Sequence, residues 1–98
     1  GGVAVTVSAS RILALRLADV RRRINAETDV ASSIARGTHR AFRFAAISDW
    51  MAAHPTLTYS DFTQWRDEAM ALASERLATL KKRAADVDRI AATLEVSP

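Results

Sequence analysis

The sequence predicts an all-α fold: a helical hairpin or three-helix bundle with one long, coiled-coil-like C-terminal helix and an extended N-terminal tail. Three observations carry this. Only three Gly and two Pro occur in 98 residues, so little interrupts a helix. Apolar residues recur at helical spacing along almost the whole chain. The last third holds an unbroken heptad pattern.

That last third is the clearest segment. Pro55 stands where a preceding helix should have ended. Thr58 or Ser60 can cap the next helix, with Asp61 in its first turn facing the helix dipole. Neither Gly nor Pro follows until beyond Glu95. Met70, Ala73, Leu77, Leu80, Ala84, Val87, Ala91 and Leu94 succeed one another at 3,4 spacing and form the expected protein interface. Phe62 and Trp65 widen the stripe near its start. A helix of about 35 residues is about 52 Å long, too long for a small globule to need by itself. It must lie against another long helix, from this chain or from a partner.

A first helix is expected from about Ser10 to Ala26, with Leu13, Leu17, Val20 and Ile24 as its stripe. "NAETD", residues 25–29, has no large apolar side chain and offers Thr28 or Asp29 as the next cap. A second helix then covers about Val30 to Ala53, broken or bent at Gly37. Val30 and Ile34 share one line, and Phe44, Ile47 and Met51 a rotated one. Trp50, Met51 and Trp65 should pack together as the core of the hairpin bend, or, if exposed, serve as a hot spot for a partner.

Residues 1–9 are expected to be an extended tail, with Gly1 and Gly2 a processing or cloning remnant. Val3 to Ser8 alternates as a strand would, but one strand needs a partner. "VAVTVS" followed by a helix from Ser10 resembles the outline of ribbon-helix-helix repressors and antitoxins. "LTYSDF", residues 57–62, resembles the cap of that family's second helix. The resemblance covers under half the chain and implies DNA binding as a dimer through a paired β-ribbon. Here only Ala4 and Thr6 stand between the valines, where that family presents basic or polar side chains.

Composition bounds the function. An apolar fraction of 49% with 26% charged residues suits one globular domain, taken as residues 10–95. The absence of cysteine removes disulfides, thiolate catalysis and Cys-ligated zinc, and fits a reducing, cytoplasmic setting. No apolar run approaches the roughly 20 residues that span a bilayer, so no membrane partner is expected. The net charge of +3 is uneven: residues 1–50 hold eight Arg against four acids. Twelve Arg against two Lys, with abundant Ala, also reflects GC-rich coding, which weakens the functional weight of any one arginine.

The candidate nucleic-acid residues are Arg21, Arg22 and Arg23 with Arg36, Arg40 and Arg43. On a continuous helix the last three fall at i, i+4 and i+7 and line one face, a row able to meet phosphates. Phe42 and Phe44 diverge by about 200° on such a helix, so they cannot form one stacking platform. The simpler reading has Phe44 packed inward and the arginines solvated. "RRR" fans around the helix axis, while Arg16 and Arg23 flank the Val20 and Ile24 seam.

No catalytic, cofactor or metal residue is expected. His39 and His54, 15 apart, fit no metal motif. No pair of acids sits at a spacing that converges two carboxylates on a helix face, and no serine lies in a GxSxG or SxxK setting. The expectation is therefore a non-enzymatic interaction or oligomerisation module whose partner is another protein or a second copy. The alternative is a small basic nucleic-acid-binding protein. In a parallel homodimer Arg76 would oppose Lys81, which repels, and Arg83 would face Asp88, which attracts, so charge does not demand that arrangement, and the alanines of the seam suit close antiparallel packing.

Overall fold

The computed structural model describes the backbone of residues 2–96 and the side chains of residues 9–94. Three α-helices follow in order: α1 (Gly2–Ala35), α2 (Phe44–Ala53) and α3 (Tyr59–Val96). A short 3-10 turn, Arg40–Phe42, precedes α2. The fold is all-α. α1 and α3 lie antiparallel as a long hairpin, and α2 packs at its closed end. The chain measures 69 × 20 × 17 Å. Its radius of gyration of 20.6 Å far exceeds the ~13 Å of a compact chain of this length.

α3 forms as its sequence dictates. Thr58 and Asp61 make a capping box: the Asp61 N–H donates to Thr58 Oγ1 at 3.2 Å, and the Thr58 N–H donates to Asp61 Oδ2 at 2.8 Å. Beyond that cap 38 residues run without a break. All eight seam residues, Met70 to Leu94, are buried or half-buried. The neighbour that covers them is α1 of the same chain. Leu80, 1% exposed, sits with Ile24 and Ala31, and Leu77, Ala84 and Val87 pack around them. Burying a leucine this fully is worth roughly 1.5–3 kcal/mol. At the open end Ala14 and Leu17 face Val87, Ala91 and Leu94 across a shallow cavity of about 470 Å³.

α1 corrects several expectations. No extended tail or strand precedes Ser10: residues 2–9 are helical, and Gly1 lies outside the described residues. The β-branched residues there cost a helix only a few tenths of a kcal/mol each, and a strand would find no partner among the described residues. The ribbon expected from the ribbon-helix-helix resemblance is therefore missing. "NAETD" does not end a helix either. It contains no Gly or Pro; Thr28 is half-buried, and Asn25, Ala26, Glu27 and Asp29 are exposed. The stripe is also rotated from the one expected: Leu17, Ile24 and Ala31 turn inward, while Leu13 and Val20 are exposed.

Of the break or bend expected at Gly37, the structure shows the break, with α1 ending at Ala35. Gly37 has φ +73°, a conformation that costs an L-residue with a Cβ. The Thr38 N–H donates to Ser33 O and the Gly37 N–H to Ile34 O, both at 2.9 Å, a Schellman cap. His39 then caps the 3-10 turn, its Nδ1 accepting from the Ala41 N–H at 3.1 Å. The second helix expected over residues 30–53 is thus divided between α1, this turn and α2.

Candidate interaction surfaces

The closed end is an aromatic cluster. Phe62 is fully buried at its centre. Trp50 meets it edge-on at 5.5 Å, Trp65 lies at 5.6 Å and Tyr59 stacks at 5.9 Å. Phe42 meets Trp65 edge-on at 5.8 Å. Trp50 and Met51 are half-buried, whereas Trp65 is 39% and Tyr59 57% exposed, so the cluster is part hairpin core and part surface. Breaking the helix at Gly37 exchanges the roles expected for two phenylalanines. Phe42 turns in, and Phe44, at the start of α2, is 84% exposed. Ile47 and Met51, one and two turns along, stay half-buried.

The arginines divide into two sets. Arg21 belongs to the packing: its Nε donates to Asp88 Oδ1 at 3.0 Å across the hairpin, and its guanidinium also meets Asn25. Arg22 pairs with Asp19 on its own helix. Arg23 is exposed. Arg36, Arg40 and Arg43 are exposed, and none has an ion-pair partner among the described residues. They do not share a helix face. Arg36 follows the last residue of α1, Arg40 opens the 3-10 turn and Arg43 caps α2.

The histidines act as backbone partners. Besides the His39 cap, His54 Nδ1 lies 2.8 Å from Trp50 O, with its ring stacked on the Trp50 indole at 4.4 Å. Among the described residues no three His, Asp or Glu side chains group as a metal would require. No described helix is long and apolar enough to cross a membrane. Arg66 Nε is buried without a hydrogen bond, the nearest carboxylate oxygen being Asp67 Oδ1 at 3.7 Å.

One long side of the hairpin is apolar and open. Val30, Ala31 and Ile34 of α1 and Ala69, Leu72 and Ala73 of α3 line a groove of about 650 Å³. Leu72 is 66% exposed and Val30 51%. Glu27 and Arg76 close one end, with Arg76 Nη2 donating to Glu27 Oε2 at 2.7 Å. Sequence reading missed this groove. The signal was present as a second line on α3, Ala69, Leu72 and Arg76, beside the heptad seam. It went unread because two of its residues are small or charged.

No family model, curated protein or solved structure matches this chain. The seam expected to form a protein interface is occupied by α1, which leaves the groove and the exposed Leu13, Val20 and Ile90 as open apolar surface.

Proposed function

We propose that this chain is a non-enzymatic helical interaction module, an oligomerisation or adaptor unit of a larger assembly working in the cytoplasm. The supporting observation is uncovered surface. The chain exposes 7324 Å². A compact monomer of 10.7 kDa exposes about 5,500 Å² by the usual surface scaling. Only five described residues, Ile24, Ala31, Phe62, Ala73 and Leu80, form the buried apolar core. So thin a core gains from a partner on the apolar groove. Sedimentation from low micromolar to several hundred micromolar tests the reading. The expected result is a concentration-dependent mass above 10.7 kDa that keeps its helical signal. A monomer at every concentration, with a melting temperature independent of concentration, would overturn self-association.

A second reading has one observation in its favour. Arg36, Arg40 and Arg43 lie exposed around the closed end, without carboxylate partners among the described residues, where they can meet phosphates. On this reading the chain is a small basic nucleic-acid-binding protein.

A further inference from the structure

We infer that the groove between α1 and α3 receives the same groove of a second copy, in a staggered antiparallel dimer whose two-fold axis passes at Leu72. The inference rests on the reading of the chain as an interaction module and names its partner.

Charge order along α3 points to this arrangement. Four residues before Leu72 stands Glu68, and four residues after it stands Arg76. Eleven before stands Asp61, and eleven after stands Arg83. Spacings of four and eleven keep residues on one helix face. An antiparallel copy centred at Leu72 therefore sets Arg76 opposite Glu68 of the second copy and Arg83 opposite Asp61, each pair occurring twice. Glu68 and Arg83 have no ion-pair partner within the chain among the described residues. Asp61 gives only Oδ2 to its capping box, which leaves Oδ1 open. Arg76 has donors beyond the one it gives Glu27.

α1 fits the same axis. The Arg76–Glu27 pair fixes the level of the two helices. Four residues back along α3 and four onward along α1 bring Leu72 level with Ala31. Val30 lies one residue before that level and Ile34 three after it, so both sit within about 5 Å of the axis along the helix. Leu72 meets its own counterpart. Two shallow open grooves thereby become one four-helix core.

The area suffices. Leu72 lies about 25 Å from the closed end, so the overlap is about 50 Å long. On a rod 20 Å wide that covers about 1,000 Å² of each copy, against the ~800 Å² per partner of a standard interface. Two rods of 69 Å staggered in this way span about 90 Å.

The test uses the whole chain, which has no cysteine of its own. Wild type is expected to sediment as a dimer with a maximum dimension of about 90 Å by small-angle scattering. Leu72→Lys should stay helical, since Leu72 is largely exposed, while raising the dimer Kd at least about tenfold. Leu72→Cys should form a disulfide-linked dimer on mild oxidation. Lys82→Cys, on the face away from α1, should not. A wild-type dimer that persists in Leu72→Lys, or that Leu72→Cys fails to trap, overturns this face and leaves the interaction module standing. A dimer no longer than one rod overturns the stagger. A wild-type monomer at every concentration overturns both the dimer and the self-associating module.

Discussion

Arg76 of α3 and Glu27 of α1, 49 residues apart in the chain, are joined by a 2.7 Å hydrogen bond across the hairpin. Arg21 and Asp88 make the matching crossing nearer the open end, at 3.0 Å. Both pairs link oppositely directed helices, on either side of the level at which Ile24 and Leu80 meet. Their energetic weight is small, because all four side chains are partly exposed to water. A double-mutant cycle on Arg76→Ala and Glu27→Ala should give a coupling of about 0.2–1 kcal/mol, falling with added salt. Arg76→Ala alone should cost somewhat more, since its stem also lines the groove.

The register is held chiefly by apolar burial, and Leu80 is where that burial is deepest. Leu80→Ala should destabilise the chain by about 2–5 kcal/mol in urea denaturation. Leu80→Asp sets a carboxylate among Ile24, Leu77 and Ala84, and should abolish the cooperative melt followed by circular dichroism. An unchanged melt in Leu80→Asp would mean that α1 does not cover this position.

The hairpin's long arm was legible in the sequence because a 3,4 apolar repeat is local: each residue from Met70 to Leu94 reports its own face without knowing its partner. Thr58 and Asp61 were legible for the same reason, since a capping box closes within four residues. What failed depended on competition between conformations. Polar composition suggested a break at residues 25–29, yet nothing there resists helical geometry, and Thr28 packs inward. Val3 to Ser8 alternates, but a strand needs a neighbour and a helix does not. Gly37 carried the actual break, and every face assigned beyond it rotated with it. That is why Phe42 and Phe44 exchanged roles and the Arg36, Arg40 and Arg43 row dissolved. The groove at Leu72 was hidden because its walls come from two helices 40 residues apart, and only packing brings them together.

Gly37 is accordingly a sharp test of the closed end. At φ +73° a Cβ is strained whatever space it has, and here it would also lie 3.4 Å from Met70 Cε. The flexible Met70 side chain can give way, so backbone strain dominates. Gly37→Ala should cost about 1–2 kcal/mol. Gly37→Asn should cost less, because Asn tolerates the left-handed region. Equal stabilities of all three by thermal denaturation would remove the Schellman cap from the account.

The nucleic-acid reading has its own discriminating measurement. If the closed-end arginines meet phosphates, the chain should shift a DNA or RNA duplex on a gel at low salt, with log affinity falling linearly against log salt. Replacing Arg36, Arg40 and Arg43 by Ala should abolish the shift and leave the melt unchanged, since none of them carries an internal ion pair among the described residues. Absence of any shift by wild type at low salt would remove this reading.

Phe44 and Phe62 separate surface from core at the same end of the rod. Phe62 is enclosed by Trp50, Tyr59 and Trp65 and is fully buried, so Phe62→Ala should cost about 3–5 kcal/mol. Phe44 is 84% exposed and belongs to no aromatic pair among the described residues. Phe44→Ser should therefore change folding stability by under ~0.5 kcal/mol. The two variants then answer different questions. A loss of mass in solution with Phe62→Ala would follow from unfolding. A loss of mass with Phe44→Ser, its melt intact, would mean that the tip of the rod is itself a contact surface and that the Leu72 groove does not account for all of the assembly.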